Sequence, residues 1–153
     1  MQISTRFGAA WIATDPDGAL IEFSFSEPAK GDSPVPSRVV RQIAEFFAGR
    51  RRSFDIPLAP RGTEFQKRVW AELVKIPFGE TISYGTLARR IGIPSASRAV
   101  GRANATNPIA VIVPCHRVIG ANGTLTGYAG GLDLKRKLLE WEQAESGLFA
   151  AAG

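Results

Sequence analysis

The chain holds one cysteine, one histidine and one methionine in 153 residues. A lone cysteine excludes an internal disulfide, and one Cys with one His cannot supply the usual four ligands of a structural zinc site. Nothing clusters carboxylates in their place, so neither a metal nor a small-molecule cofactor is expected. No apolar run approaches the roughly 18 residues of a membrane span, and the opening Met1-Gln2-Ile3-Ser4-Thr5-Arg6 lacks the apolar core of a secretory signal. The expected setting is intracellular, in the cytoplasm. Repeats and low-complexity segments are also missing. A hydrophobic content of 44% with 22% charged residues excludes a disordered chain and permits one medium domain or two small lobes.

What is present is unevenly spread. The net charge of +5 falls entirely within residues 61–110, where eight Lys/Arg face three Asp/Glu; residues 1–60 have seven against seven and residues 111–153 four against four. A local basic excess is the electrostatic footprint of a polyanion partner, although solvated basic side chains are common on any surface.

The first segment reads as a β-hairpin: Ala10–Thr14 and Ala19–Phe25 flank Asp15-Pro16-Asp17-Gly18, a turn signal. Residues 26–36 hold three prolines and read as a loop. Val39, Val40, Ile43, Phe46 and Phe47 then recur at helical spacing, with Ser37 as candidate N-cap and Gly49 as stop. A short apolar piece, Phe54 to Leu58, precedes a change of pattern near Ala59-Pro60-Arg61-Gly62.

From there the chain reads as mainly helical. Thr63 and Gln66 form a capping-box signature, and Phe65, Val69, Leu73 and Val74 supply one buried face. Ser83 caps a short helix that Gly92 ends; after Ile93-Pro94, Ser95 is expected to cap a second. Two short helices joined by a tight turn inside the basic segment suggest a helix-turn-helix, with a plain helical hairpin as the alternative. The second helix is small and smooth at Ala96, Ala99, Gly101 and Ala103, which suits close approach to a backbone or shallow groove better than major-groove reading.

The apolar run Ile109–Val113 reads as a buried strand ending in Pro114-Cys115-His116-Arg117-Val118. The only cysteine and only histidine are adjacent there. Strand neighbours point to opposite faces, so the two need a turn or a bridging water to cooperate. On these residues alone Cys115 is either an inert buried thiol or a nucleophile that needs a base, for which His116 is the sole histidine. Ala121-Asn122-Gly123-Thr124 reads as a hairpin turn, Gly127-Tyr128-Ala129-Gly130-Gly131 as a loop bringing backbone amides to a ligand, and Asp133 as cap of the last helix. On a wheel begun at Leu134, Glu142 falls at about 80° on the apolar stripe and Glu145 at about 20°, while Glu140 lies opposite at about 240°. An inward carboxylate could orient an imidazole, giving a Cys–His–Glu relay. The wheel alone leaves Glu145 open as well.

The run Pro114–Val118, with Asn107-Pro108 before it and Gly127–Leu132 after it, resembles the O6-alkylguanine-DNA alkyltransferase family. The resemblance extends from about Gly62 to Glu142 and includes Phe65–Trp70, Ile76–Thr81 and Ser97–Gly101. It implies an α+β fold: a small N-terminal ribonuclease-H-like α/β lobe over 1–60 and a mainly helical, winged-helix-like C-terminal domain with the helix-turn-helix over 61–153. It implies single-turnover repair, in which the alkyl group of O6-alkylguanine, and of O4-alkylthymine, in double-stranded DNA passes irreversibly to Cys115 after minor-groove binding and base flipping. By this resemblance His116 is the water-mediated base, Glu142 orients it, Asn107 braces the site, and Tyr84 hydrogen-bonds the departing guanine. Arg98 is the finger that fills the vacated stack, beside Ser97, Ala99, Gly101 and Arg102 on the DNA-facing helix. Tyr128, Val118, Ala129 and Asn104 line the base pocket. Ala129 stands where relatives have serine and Asn104 where they have an apolar residue; the zinc ligands of some relatives are missing. A monomer, possible cooperation on DNA aside, completes the expectation.

Overall fold

A computed structural model describes residues 1–26, 31, 33–125, 128 and 131–152, with side chains to residue 146. It is a mixed α+β structure of two compact units: Met1–Arg61 with Pro108–Ile112, and Gly62–Asn107 with Val113–Gly153.

In the first unit, β1 (Gln2–Thr5), β2 (Gly8–Thr14) and β3 (Leu20–Ser24) form an antiparallel sheet in that order. β1 was not expected, because Gln2-Ile3-Ser4-Thr5 offers one apolar side chain to signal it. The β2–β3 turn has the predicted chemistry: the Asp15 carboxylate accepts the N–H groups of Asp17 and Ala19 at 2.9 Å, and Gly18 takes φ +85°. Helix α1 (Ser37–Phe47) buries Val39, Gln42, Ile43, Phe46 and Phe47, and Phe23 of β3 stacks on Phe47 with centroids 6.1 Å apart. Its N-cap is Pro36, not Ser37, and Gly49 at φ +77° follows its end.

Two returning segments satisfy the β3 backbone. Leu20 bonds to Pro57 and Ala59, and Phe23 bonds to Pro108 and Ala110, at 2.8–3.0 Å. The second contact places 108–112 in the first unit, whereas sequence reading put it in the C-terminal domain.

Helix α2 (Glu64–Leu73) opens the second unit on the full Thr63–Gln66 capping box, and its Trp70 donates Nε1–H to the Ala103 carbonyl at 2.8 Å. Helices α3 (Tyr84–Arg90) and α4 (Ser97–Ala105) are the two expected short helices, and Ser83 caps α3 by accepting the Thr86 N–H. Ser95 does not cap α4: the N-cap is Ala96, without a side-chain bond. β4 (Ile82–Ser83) pairs in parallel with β5 (Val118–Ile119), and α5 runs Leu132–Ala152. Asp133 lies inside the first turn of α5 rather than at its cap and pairs with Arg136 and Lys137. The Ala121–Thr124 turn forms around Gly123 at φ +82°, closed by Gly120 N–H to the Thr124 carbonyl at 2.8 Å.

The expected strand over Ile109–Val113 is a turn. Ile109 makes one isolated bridge, Val111 takes φ +69°, and Ile112 N–H bonds back to Ala110 at 2.8 Å. An i to i+2 bond around a positive φ is a strained γ-turn, unusual for a β-branched residue. All the same, Val111, Ile112 and Val113 are buried.

Candidate active site

The site begins with a second γ-turn. Pro114 sits at φ −81°, ψ +63°, and Cys115 N–H bonds to the Val113 carbonyl at 2.8 Å, the inverse form that the fixed proline φ favours. It feeds a 3₁₀ turn, Cys115–Arg117, which replaces the strand's opposite-facing geometry for Cys115 and His116. Both are buried, at 5% and 0% exposure.

His116 Nε2 lies 2.8 Å from Oε2 of Glu142 on α5, itself fully buried. Glu142 is therefore the carboxylate that the wheel could not separate from Glu145. Arg117 closes on the same carboxylate, Nε donating to Oε1 at 2.8 Å and Nη2 to Oε2 at 2.9 Å, while its Nη1 donates to the Ile76 carbonyl at 2.7 Å. These donors hold Glu142 ionised, at a pKa of about 2, against the opposing effect of burial. Burial lowers the His116 pKa and outweighs the pull of Glu142, whose charge Arg117 already balances. His116 is thus neutral at pH 7. An ionised carboxylate only accepts, so Nε2 carries the proton and Nδ1 is the free acceptor. Nδ1 is buried and has no hydrogen-bond partner among the described residues.

Burial raises the Cys115 pKa, opposed by the Asn107 side chain and by the charge of Lys135. At neutral pH the resting thiol is protonated and requires a base. Lys135 of α5 is fully buried, donates Nζ–H to the Val118 carbonyl at 2.7 Å and lies 5.9 Å from the centre of the Tyr84 ring. Asn107 Nδ2 donates to the Val113 carbonyl at 2.8 Å, and Asn104 Nδ2 to the Cys115 carbonyl at 3.2 Å. Tyr128 has a pKa raised by burial first and then by the charges of Cys115 and Glu142, and its buried hydroxyl has no partner among the described residues.

Within the second unit, Asn104 and Asn107 thus bond to the backbone of the turn that carries Cys115, His116 stands against Glu142, and Lys135 links the Val118 carbonyl with the Tyr84 ring. Arg98 and Arg102 lie on the exposed face of α4, with Ser97, Ala99 and Gly101 half-buried beside them. Ala129 lies outside the described residues. Sequence reasoning assigned no role to Arg117 or Lys135. Lys135 did carry a signal: seven positions before Glu142, it lies within about 20° of it on the helix wheel. Among the described residues no group of three or more His, Cys, Asp or Glu could hold a metal, and no helix is long and apolar enough to cross a membrane.

A helix-turn-helix unit that encloses a thiol beside a histidine–carboxylate pair is the class of protein that fold and site define. A family model described as the DNA-binding domain of 6-O-methylguanine DNA methyltransferase matches residues 64–144. A methylated-DNA–protein-cysteine methyltransferase of Methanosarcina acetivorans is 66% identical over 102 residues, which are 67% of this chain and 65% of that protein. One from Mycobacterium bovis is 58% identical over 110 residues, 72% of this chain and 67% of that protein. The match therefore spans just under two thirds of the first relative's length. The crystal structure of Mycobacterium tuberculosis OGT in complex with DNA has a TM-score of 0.86 and 47% identity, covering 94% of this chain and 92% of that one. The chain belongs to the 6-O-methylguanine DNA methyltransferase family.

Proposed function

We propose that this chain reverses alkylation damage directly, moving the alkyl group of O6-alkylguanine, and of O4-alkylthymine, in double-stranded DNA irreversibly onto Cys115. The observation that carries this reading is the buried sequence of groups from the thiol to a neutral His116, whose Nδ1 is left to take a proton, and on to the ionised Glu142. The relatives' names and the DNA bound to the mycobacterial structure support it.

The duplex is met from the minor groove by α4, with Ser97, Ala99, Gly101 and Arg102 against the backbone. An alkyl carbon on guanine's oxygen is shielded by the base stack, so the nucleotide is extruded at a cost of about a few kcal/mol. Arg98 occupies the vacated space and offsets part of that cost. The base enters a pocket lined by Tyr128, Val118 and Asn104. A water bridging the thiol and Nδ1 relays the proton to His116, and Glu142 stabilises the imidazolium. Asn107 braces the turn, and the Lys135 charge favours the thiolate. Sulfur attacks the alkyl carbon in line: the S–C bond forms as C–O breaks, the electron pair leaves with guanine, and Tyr84 hydrogen-bonds the departing ring. A thioether is a poor leaving group and the chain has no second thiol, so each molecule reacts once.

In this reading the first unit is a ribonuclease-H-like lobe, the second a winged-helix-like DNA-binding and acceptor domain, and the protein acts as a cytoplasmic monomer without cofactor. Restoration of guanine in a duplex carrying a single O6-methylguanine, titrated with protein, tests it. One base should be restored per molecule; turnover beyond one contradicts the mechanism.

A further inference from the structure

Two carboxamides, spaced about one helical turn apart, hold the turn that carries the thiol. Asn107 bonds to the backbone upstream of Cys115, at Val113, and Asn104 to the carbonyl of Cys115 itself. That carbonyl already accepts the Val118 backbone N–H, so it does not need Asn104 to be satisfied. Asn104 is 2% exposed and sits with Val100 and Ala103 on the buried stripe of α4, and its own Oδ1 is buried without a partner among the described residues. A buried acceptor lacking a donor costs stability, and an apolar side chain of similar volume would fill the position without that cost. The amide is a poor device for stability, and its one bond goes to the backbone of the thiol-bearing residue.

We propose that Asn104 is a positioning residue for alkyl transfer: it fixes the Cys115 carbonyl, and so the direction in which the thiol leaves the backbone, from the same helix that exposes Arg98 and Arg102. This rests on the reading of Cys115 as acceptor. In-line displacement is sensitive to where the sulfur stands, so loosening its backbone lowers the rate at saturation rather than the affinity for DNA.

Single-turnover transfer from a duplex with one O6-methylguanine, followed over a range of DNA concentrations, tests this on Asn104→Leu and Asn104→Ser. Leu removes the donor at similar volume; Ser keeps a shorter donor and covers the case of a misfolded Leu variant. The expected result is a fall of about tenfold in the saturating rate for Leu, a smaller one for Ser, and a half-saturating concentration within about twofold of wild type. The melting temperature of Asn104→Leu should equal or exceed that of wild type. An unchanged saturating rate in a folded variant overturns the proposal. So does a loss confined to the half-saturating concentration, which would leave Asn104 a pocket contact alone, without a positioning role, and so does failure of both variants to fold. A wild type that transfers nothing, like a Cys115→Ser control, would instead remove the acceptor reading and this proposal with it.

Discussion

Arg117 adds to burial in keeping His116 neutral. With its guanidinium forked onto Glu142, the carboxylate's charge is balanced before the imidazole meets it, and the ring stays neutral with Nδ1 free. Arg117→Gln removes that balance and leaves His116 as the counter-ion of a buried carboxylate, so the His116 pKa should rise and transfer at pH 7 should slow. As the chain's only histidine, His116 gives an unambiguous NMR titration; a midpoint at or below the wild-type value contradicts the assignment. At this scale the His116–Glu142 pair was legible, because a carboxylate on an apolar stripe needs a partner and the chain has one histidine. Lys135 was not, although it shares the stripe: a lysine is expected to reach solvent, and only the fold shows its ammonium bonded to the Val118 carbonyl.

Elements were legible where their ends carry chemistry. Thr63 and Gln66 form the box their spacing predicted, and Thr63→Ala should lower stability by about 1 kcal/mol, seen as a drop in melting temperature. Ser37 and Ser95 do not cap: Ser37 is already the first helical residue behind Pro36, and Ser95 lies one residue ahead of the N-cap Ala96. The run Ile109–Val113 misled because burial and strand formation leave the same trace in a short apolar segment. Its residues are buried, but the backbone bends twice, at Val111 and Pro114, and the second bend delivers the thiol. For α4, the exposed Arg98 is proposed to enter the duplex. Arg98→Ala should therefore slow repair of duplex DNA more than reaction with a free O6-benzylated guanine base, and equal losses on both substrates contradict the role.

For the whole molecule, the buried charges make folding pH-dependent with a definite sign. Glu142 is depressed from 4.5 to about 2 and His116 lies below 6.5, so on acidification the unfolded chain takes up protons at both groups before the folded one does. Stability should begin to fall below about pH 6.5 and fall more steeply from about 4.5 toward 2. On the alkaline side, the raised Cys115 pKa means that the unfolded chain ionises first and stability declines as pH rises past 9.0. Melting temperatures across pH check this; a protein that grows more stable between pH 6.5 and 4.5 contradicts it. The division of the chain was legible only in part. The units divide after Arg61, and the return of Pro108–Ile112 to β3 depends on backbone bonds that no side-chain pattern encodes.

The central claim, that Cys115 is the acceptor, is tested most directly by intact-mass analysis after incubation with duplex DNA containing O6-methylguanine. The account predicts that wild-type protein gains the mass of one CH₂ unit, with the methyl on the Cys115 peptide, and that Cys115→Ser gains none. Folded wild-type protein of unchanged mass, or a Cys115→Ser variant that still takes up the methyl, would contradict it.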